Sequence, residues 1–543
     1  MKWTAPSKKD EGQATLEKKL WDAADQLRAN SGLTAAQYSQ PVLGLIFLRF
    51  ADNRFQALKN KFEKAATSSR RGSVVNDAAS YHAEGVLFLA PEARFEELLN
   101  WPEGGKKGKT IGQGVNEAMR LIERDNPQLA GVLPKTYQIF DARTLKELIK
   151  HISIIPTNLE GDAFGKIYEY FLAEFAMTEG QGGGEFYTPT SIVRLMVEIL
   201  EPFHGLVLDP ACGSGGMFVQ SARFVQEHNK KAADELRIHG VEKTDDTGRL
   251  CRMNLAVHGF EGNISHGGQV NSYYDDPHEA TGKFDFVLAN PPFNVNAVDK
   301  DRLKDSVGPG RRYPFGLPNT DNGNYLWIQL FYSALNKKGR AAFVMANSAA
   351  DARSSELELR KKLIQDHSVD AIVAVGPNMF YTVTLPCTLW FLDRGKSKTD
   401  RADKVLFLDA RHVYRQIDRA YRDWAEYQIS FLANVVRLYR GEEADITLGG
   451  KEAQKKLVEI FGKKLKYKDV PGLCKVATIE EVEVQSWSLS PGRYVGVVAG
   501  EAVSDENFKE KLETLNEELE TLNVKARDLE QIVADNITEV LRV

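Results

Sequence analysis

Two short segments of this 543-residue chain combine residue types that can do chemistry. The first is Val207-Leu-Asp-Pro-Ala-Cys-Gly-Ser-Gly-Gly-Met217. Its apolar start reads as a strand, and Phe218–Val225 behind it reads as a helix. Gly213, Gly215 and Gly216 remove side chains, so a ligand can approach the backbone closely. Asp209 ends the strand beside them, where a carboxylate can meet a cation. No Lys-Ser/Thr follows the glycines, which excludes a phosphate-binding P-loop, and the full G-x-G-x-x-G is absent. Glu242 ends the next apolar run, a place from which an acid can accept both hydroxyls of a ribose. S-adenosylmethionine (AdoMet) offers an α-ammonium, a ribose and no phosphate, and suits this pair of acids. A tight turn beside a surface carboxylate would explain one acid, but less readily two at consecutive strand ends.

The second segment is Asn290-Pro291-Pro292-Phe293, behind the apolar run Phe284–Ala289. The carboxyl ends of strands are where open α/β sheets bind ligands. Two prolines fix φ twice and remove two N–H groups, so the carbonyls are rigid and unclaimed by a helix. The side-chain oxygen of Asn290 and the carbonyl of Pro291 can both accept from one exocyclic NH₂. That draws the nitrogen toward sp³ geometry and frees its lone pair to attack a sulfonium methyl in line. Phe293 offers a π-face to a base pulled out of a duplex. Such chemistry needs no covalent intermediate. Pro386-Cys387 competes, because cytosine-C5 methyltransferases use a Pro-Cys nucleophile. Here the dipeptide follows Asn290–Phe293 and does not precede it, so Cys387 reads as a core cysteine.

The elements that hold these segments follow from periodicity. Residues from about 13 to 150 read as helical, with Leu16, Leu20, Ala24 and Leu27 at helical spacing and Pro41 opening an apolar helix through Phe50. From about 205, seven β-rich runs alternate with helices: Gly205–Asp209, Arg237–Glu242, Asn263–His266, Phe284–Ala289, Arg340–Ala346, Val369–Val375 and Cys387–Leu392. They predict an α/β fold with a seven-stranded, Rossmann-like, mostly parallel sheet. The short, proline-containing link between the last two predicts an antiparallel hairpin at a sheet edge. Lys455–Lys468 is basic and partly helical. Phe508, Leu512, Leu515, Leu519, Leu522, Ala526, Leu529 and Val533 form a heptad seam. The expected division is a helical domain over 1–155, a catalytic domain over 156–400, a mixed region over 401–500 and a heptad helix over 501–543.

Hydrophobic residues make up 43% of the chain and charged residues 27%, an ordinary globular composition. No apolar run reaches the roughly 18 residues of a membrane span, and the start lacks the apolar core of a secretory signal. Four dispersed cysteines without a C-x-x-C pair speak against a metal site and for the reducing cytoplasm. The net charge of −5 leaves two options for binding DNA: a local basic groove, or a partner that supplies much of the grip.

These motifs together resemble the amino-methyltransferases of DNA, in the order of their gamma group, and Asn at position 290 resembles the adenine-N6 branch. Leu43-Gly-Leu-Ile-Phe-Leu-Arg-Phe50, Asp162–Phe171, Gly184-Glu-Phe-Tyr-Thr-Pro189 and Asn322-Gly-Asn-Tyr-Leu-Trp327 are similar to stretches of the modification subunits of type I restriction-modification systems. The resemblance implies an adenine-specific DNA methyltransferase that uses AdoMet. It implies catalysis by Asn290, Pro291, Pro292 and Phe293. It implies cofactor contacts from Glu185, Tyr187, Thr188, Asp209, Ala211, Gly213, Ser214, Gly215 and Glu242, with Asn271 nearest the cofactor's adenine. That last position departs from the family pattern, since Gly267-Gly-Gln-Val-Asn271 replaces the usual Gly-Asp-Thr. On sequence alone Thr188 also reads as a plain helix N-cap. The implied partners are duplex DNA, a specificity subunit bound by two copies of this chain, and a restriction subunit. Methylation of a protein glutamine or an RNA amine, and an inactive scaffold, remain alternative readings of the same motifs.

Overall fold

The computed structural model describes residues 2–5, 14–66, 74–102, 104–156, 163–179, 188–268, 270–319, 321–380, 386–417 and 421–496. The expected heptad helix lies outside them.

The N-terminal region is helical, as its periodicity predicts. Helices Ala14–Ser31, Ala35–Ala66, Ile111–Asp125, Ala142–Ser153 and Ala163–Glu179 surround one apolar core. The second helix starts six residues before Pro41, which lies inside it. Its start is set by a capping box: Gln37 N–H donates to Thr34 Oγ1 at 3.3 Å, and Thr34 N–H donates to Gln37 Oε1 at 3.1 Å. Pro41 removes one ladder bond from this helix, and its carbonyl accepts from Tyr137 Oη at 2.9 Å.

The described residues form twelve strands, in chain order β1 Trp3–Ala5, β2 Gly205–Asp209, β3 Leu236–Glu242, β4 Gly262–His266, β5 Phe284–Ala289, β6 Leu335–Ala346, β7 Val369–Val375, β8 Cys387–Asp393, β9 Lys404–Asp409, β10 Val413–Gln416, β11 Arg422–Asp423 and β12 Cys474–Thr478. Nine of them form one sheet in the order β12-β9-β7-β8-β6-β5-β2-β3-β4. β8 runs antiparallel to β6 and β7, and β12 antiparallel to β9; the other pairings are parallel. All seven expected strands are present. The sheet is nevertheless two strands wider, and the β7–β8 hairpin is interior, not at an edge. Both hairpin strands are buried at every position, the signature of a strand covered on both faces. β9 then pairs in parallel with β7. Asp370 of β7 is fully buried and held by Arg401 and Arg440, so charged residues beyond position 400 are bound into the sheet.

Helices Thr190–Leu200 and Glu426–Arg440 contribute to the core on one face of the sheet, and Asn324–Ala334 and Ser355–Gln365 to that on the other. Residues 3–5 do not join the helical domain. β1 pairs in parallel with β10, and Trp3 meets Phe431 edge-on at 5.3 Å. Among the described residues no helix is long and apolar enough to cross a membrane.

Candidate active site

The glycine turn is built as its spacing demands. Gly213 and Gly215 have φ of +51° and +83°, and Gly215 caps helix Gly216–Glu227. A Cβ on Gly215 would lie 2.8 Å from Cys251 Sγ, so both its backbone and its surroundings require glycine. The turn is tied down from three sides. Cys212 N–H donates to the Val241 carbonyl at 3.0 Å, Asn254 Nδ2 to the Ser214 carbonyl at 2.9 Å, and Ser272 Oγ to the Pro210 carbonyl at 2.6 Å.

The two acids sit at adjacent strand ends but in different surroundings. Asp209 is buried and accepts from Ala211 N–H at 2.9 Å. Loss of water pushes its pKa up to about 8, with the charge of Glu242 adding to the effect. Glu242 is half-buried, and its two oxygens accept from Gly213 N–H at 3.0 Å and Thr244 N–H at 2.8 Å.

Asn290 follows β5 at the same carboxyl edge of the sheet. Its Nδ2 donates to Thr188 Oγ1 at 2.8 Å, while its Oδ1 is buried without a partner among the described residues. The amide nitrogen is thereby anchored, and the oxygen is left to accept. Thr188 is not a helix cap: Pro189 occupies that position for Thr190–Leu200, with no side-chain bond. Pro291 is buried, Pro292 exposed, and Phe293 half-buried against the core. Glu185 and Tyr187 lie outside the described residues.

The chain leaving Phe293 is clamped by Asn322–Asn324. Asn294, at φ +54°, donates its N–H to Asn324 Oδ1 at 2.9 Å and accepts from Asn324 Nδ2 at 2.9 Å. Gly323 N–H donates to the Val295 carbonyl at 2.8 Å. Between this clamp and Glu242 lies a cleft of about 240 Å³, lined by Ala211, Glu242, Asn271, Tyr273, Pro292 and Trp327 among others. Asn271 therefore borders the same space as Glu242; its Oδ1 accepts from Tyr273 N–H at 3.0 Å. Tyr273 and Trp327 pack with ring centroids 4.7 Å apart and give the cleft an aromatic wall that the motifs did not reveal. The double aromatic Tyr273-Tyr274, two residues after Asn271, is the available signal. Cys387 is 3% exposed at the start of β8, and burial raises its pKa, the opposite of an activated nucleophile.

The sequence pattern of the N-6 DNA methylases matches residues 159–502, and that of the HsdM N-terminal domain matches residues 16–152. The chain belongs to the N-6 DNA methylase family. This methylase is 34% identical to the methylase subunit of the type I restriction enzyme MjaIX from Methanocaldococcus jannaschii, over 97% of the chain and 91% of the relative. It is 33% identical to that of HindI from Haemophilus influenzae, over 80% and 94%. Its fold is shared by the type I restriction-modification methyltransferase subunit of Streptococcus thermophilus, with a TM-score of 0.68, 20% identity, and coverage of 89% of this chain and 100% of the other. Within its family the methylase thus groups with type I modification subunits. The DNA methyltransferase reading stands, and neither the glutamine or RNA reading nor the inactive scaffold is favoured.

Proposed function

We propose that this methylase transfers a methyl group from AdoMet to N6 of adenine in duplex DNA, with Asn290 and Pro291 as the groups that hold the target amine. The observation that carries this is the buried, unpartnered Oδ1 of Asn290, whose nitrogen is already committed to Thr188. A buried acceptor without a donor costs about 1–3 kcal/mol, and an incoming N–H relieves that cost. The Pro291 carbonyl likewise has no donor among the described residues. Two acceptors on one NH₂ concentrate its lone pair on nitrogen. Held in that way, the amine would present its lone pair to a methyl donor, and the proton it sheds on methylation would pass to water. Phe293 stacks on the extruded base.

The residues present fit AdoMet. Bound AdoMet supplies an electrophilic methyl on a sulfonium. Asp209, with its pKa raised by burial, would be returned to its ionised form by a neighbouring ammonium. Glu242 borders the cleft and would accept from ribose hydroxyls, and Asn271, Tyr273 and Trp327 border space for an adenine. Among the described residues the first two amides of helix Thr190–Leu200 have no acceptor, and Ser191 Oγ is buried without a partner. That set suits a carboxylate. Gly213, Ser214, Gly215 and Ala211 form the backbone floor, with Glu185 and Tyr187 on the segment before the helix.

As a type I modification subunit the chain would work in the cytoplasm with a specificity subunit, two copies of this chain to one, through residues 501–543. A restriction subunit would complete the assembly. The test is transfer of tritiated methyl from AdoMet into duplex DNA, with and without the specificity subunit, beside AdoMet affinity by calorimetry. Asn290→Ala should abolish transfer and leave AdoMet affinity within about twofold. A parallel loss of both would remove Asn290 from the target amine.

A further inference from the structure

The chain is acidic overall, with a net charge of −5, yet one short segment is strongly basic. Gly462-Lys-Lys-Leu-Lys-Tyr-Lys468 joins helix Gly450–Phe461 to β12. Lys463, Lys464, Lys466 and Lys468 are all exposed, while Leu465 and Tyr467 turn inward and pack on the core. Among the described residues none of the four lysines is in an ion pair. The nearby acids are otherwise engaged. Glu459 pairs with Lys456 at 2.7 Å, and Asp469 accepts from Val476 N–H at 3.0 Å and Tyr467 Oη at 3.1 Å. A surface held only for solubility would intersperse both signs.

The segment is also firmly seated. Tyr467 packs against Tyr439 and Phe461, with centroids 6.1 and 6.3 Å away. Val470 and Cys474 exchange backbone bonds of 2.8 and 2.9 Å. Four ammonium groups are therefore presented from a fixed base.

Topology places them. β9 is parallel to β7, and β12 is antiparallel to β9, with Cys474 level with Leu408 near the carboxyl end of β9. The segment entering β12 at Cys474 thus lies on the same twisting edge of the sheet as Asn290 after β5. Five strand spacings separate β5 from β12, about 24 Å at ~4.8 Å each. Along a duplex that corresponds to about seven base pairs, at 3.4 Å of rise.

We propose that Lys463, Lys464, Lys466 and Lys468 form a docking surface for the phosphate backbone of the duplex flanking the target adenine. The proposal rests on the DNA methylase reading and adds the part of the chain that grips the helix at a distance from the chemistry. Ammonium point charges fit phosphates without reading sequence. The surface is the first of the two options an acidic DNA-binding chain leaves, a local basic feature.

The test uses the methylase with its specificity subunit and a fluorescein-labelled duplex of mixed sequence, whose anisotropy gives affinity across a series of KCl concentrations. Each phosphate contact contributes about 0.9 to the slope of log K against log salt. Changing the four lysines together to glutamine should lower that slope by about 2 to 4 and leave AdoMet affinity and the melting temperature unchanged. Changing them to arginine should keep the slope. A glutamine variant whose slope stays within about 0.5 of the parent overturns the surface, and so does one that no longer binds the specificity subunit, because the lysines then serve that contact. A parent complex that shows the slope but methylates no adenine would sink the proposed activity instead, and leave the surface standing.

Discussion

Thr188→Val is the substitution that isolates how the catalytic amide is oriented. Valine keeps the shape of threonine and removes the oxygen that accepts from Asn290 Nδ2 at 2.8 Å. The amide can then turn over and present its NH₂ where its oxygen is needed. A net hydrogen bond is worth about 0.5–1.5 kcal/mol, and the stranded buried N–H₂ costs about 1–3 kcal/mol. Taking about 1–3 kcal/mol as the energy that held the amide in its productive position, the competent population drops about 5- to 150-fold. That loss should appear in single-turnover methyl transfer at saturating AdoMet, with AdoMet affinity within about twofold of the parent. Thr188→Ser, which keeps the oxygen, should restore most of the rate. Two outcomes refute the reasoning. If serine is as poor as valine, the methyl group matters and the hydroxyl does not. If AdoMet affinity falls as far as the rate, Thr188 serves the cofactor and not Asn290.

Asp209→Asn should remove a pH dependence of stability. The native carboxyl, with pKa about 8, keeps its proton while the unfolded one, near 3.8, has lost it. The group's contribution therefore falls as pH climbs from ~4 to ~8. The ligand-free variant should gain melting temperature over the parent across that window and lose AdoMet affinity; a gap independent of pH would contradict the burial argument. Gly215→Ala forces a Cβ to within 2.8 Å of Cys251 Sγ at φ +83° and should cost about 1–3 kcal/mol of stability together with cofactor affinity. Adding Cys251→Ala should return the steric part in a melting experiment, and no return would place the whole cost in the backbone.

The seven strands first expected were legible because each is a compact apolar run bounded by turn residues, and Asp209, Glu242 and Asn290 were legible because they end such runs. β9 and β12 were harder to see. They pair with each other across the 64 residues between Asp409 and Cys474, counting from 410 to 473, and pairing at that range leaves no local trace. The edge placement of β7 and β8 failed for a readable reason. Val369-Asp-Ala-Ile-Val-Ala-Val375 is apolar at all but one position, which is the pattern of a strand covered on both faces, not of an exposed edge. The one exception, Asp370, is met by Arg401 and Arg440, whose role no spacing rule announces. Pro41 misled in the same way, because the capping box at Thr34 and Gln37 starts its helix earlier.

The least legible feature is the one that matters most to the chemistry. Asn-Pro-Pro-Phe states which atoms are available, but not which way the Asn290 amide faces. Its Nδ2 is anchored on Thr188, 102 residues upstream, while the exit from the tetrapeptide is held by Asn324, 30 residues downstream of Asn294. A clamp at each end of two φ-restricted prolines leaves the backbone little room to relax toward the orphaned Oδ1 of Asn290. The unmet acceptor is stable only because the sheet edge and both clamps over-determine its position. A substrate amine that satisfies it recovers part of the free energy already spent on folding the site. Rigidity around Asn290 and affinity for an N–H donor are then two consequences of one arrangement, and loosening either clamp should weaken both.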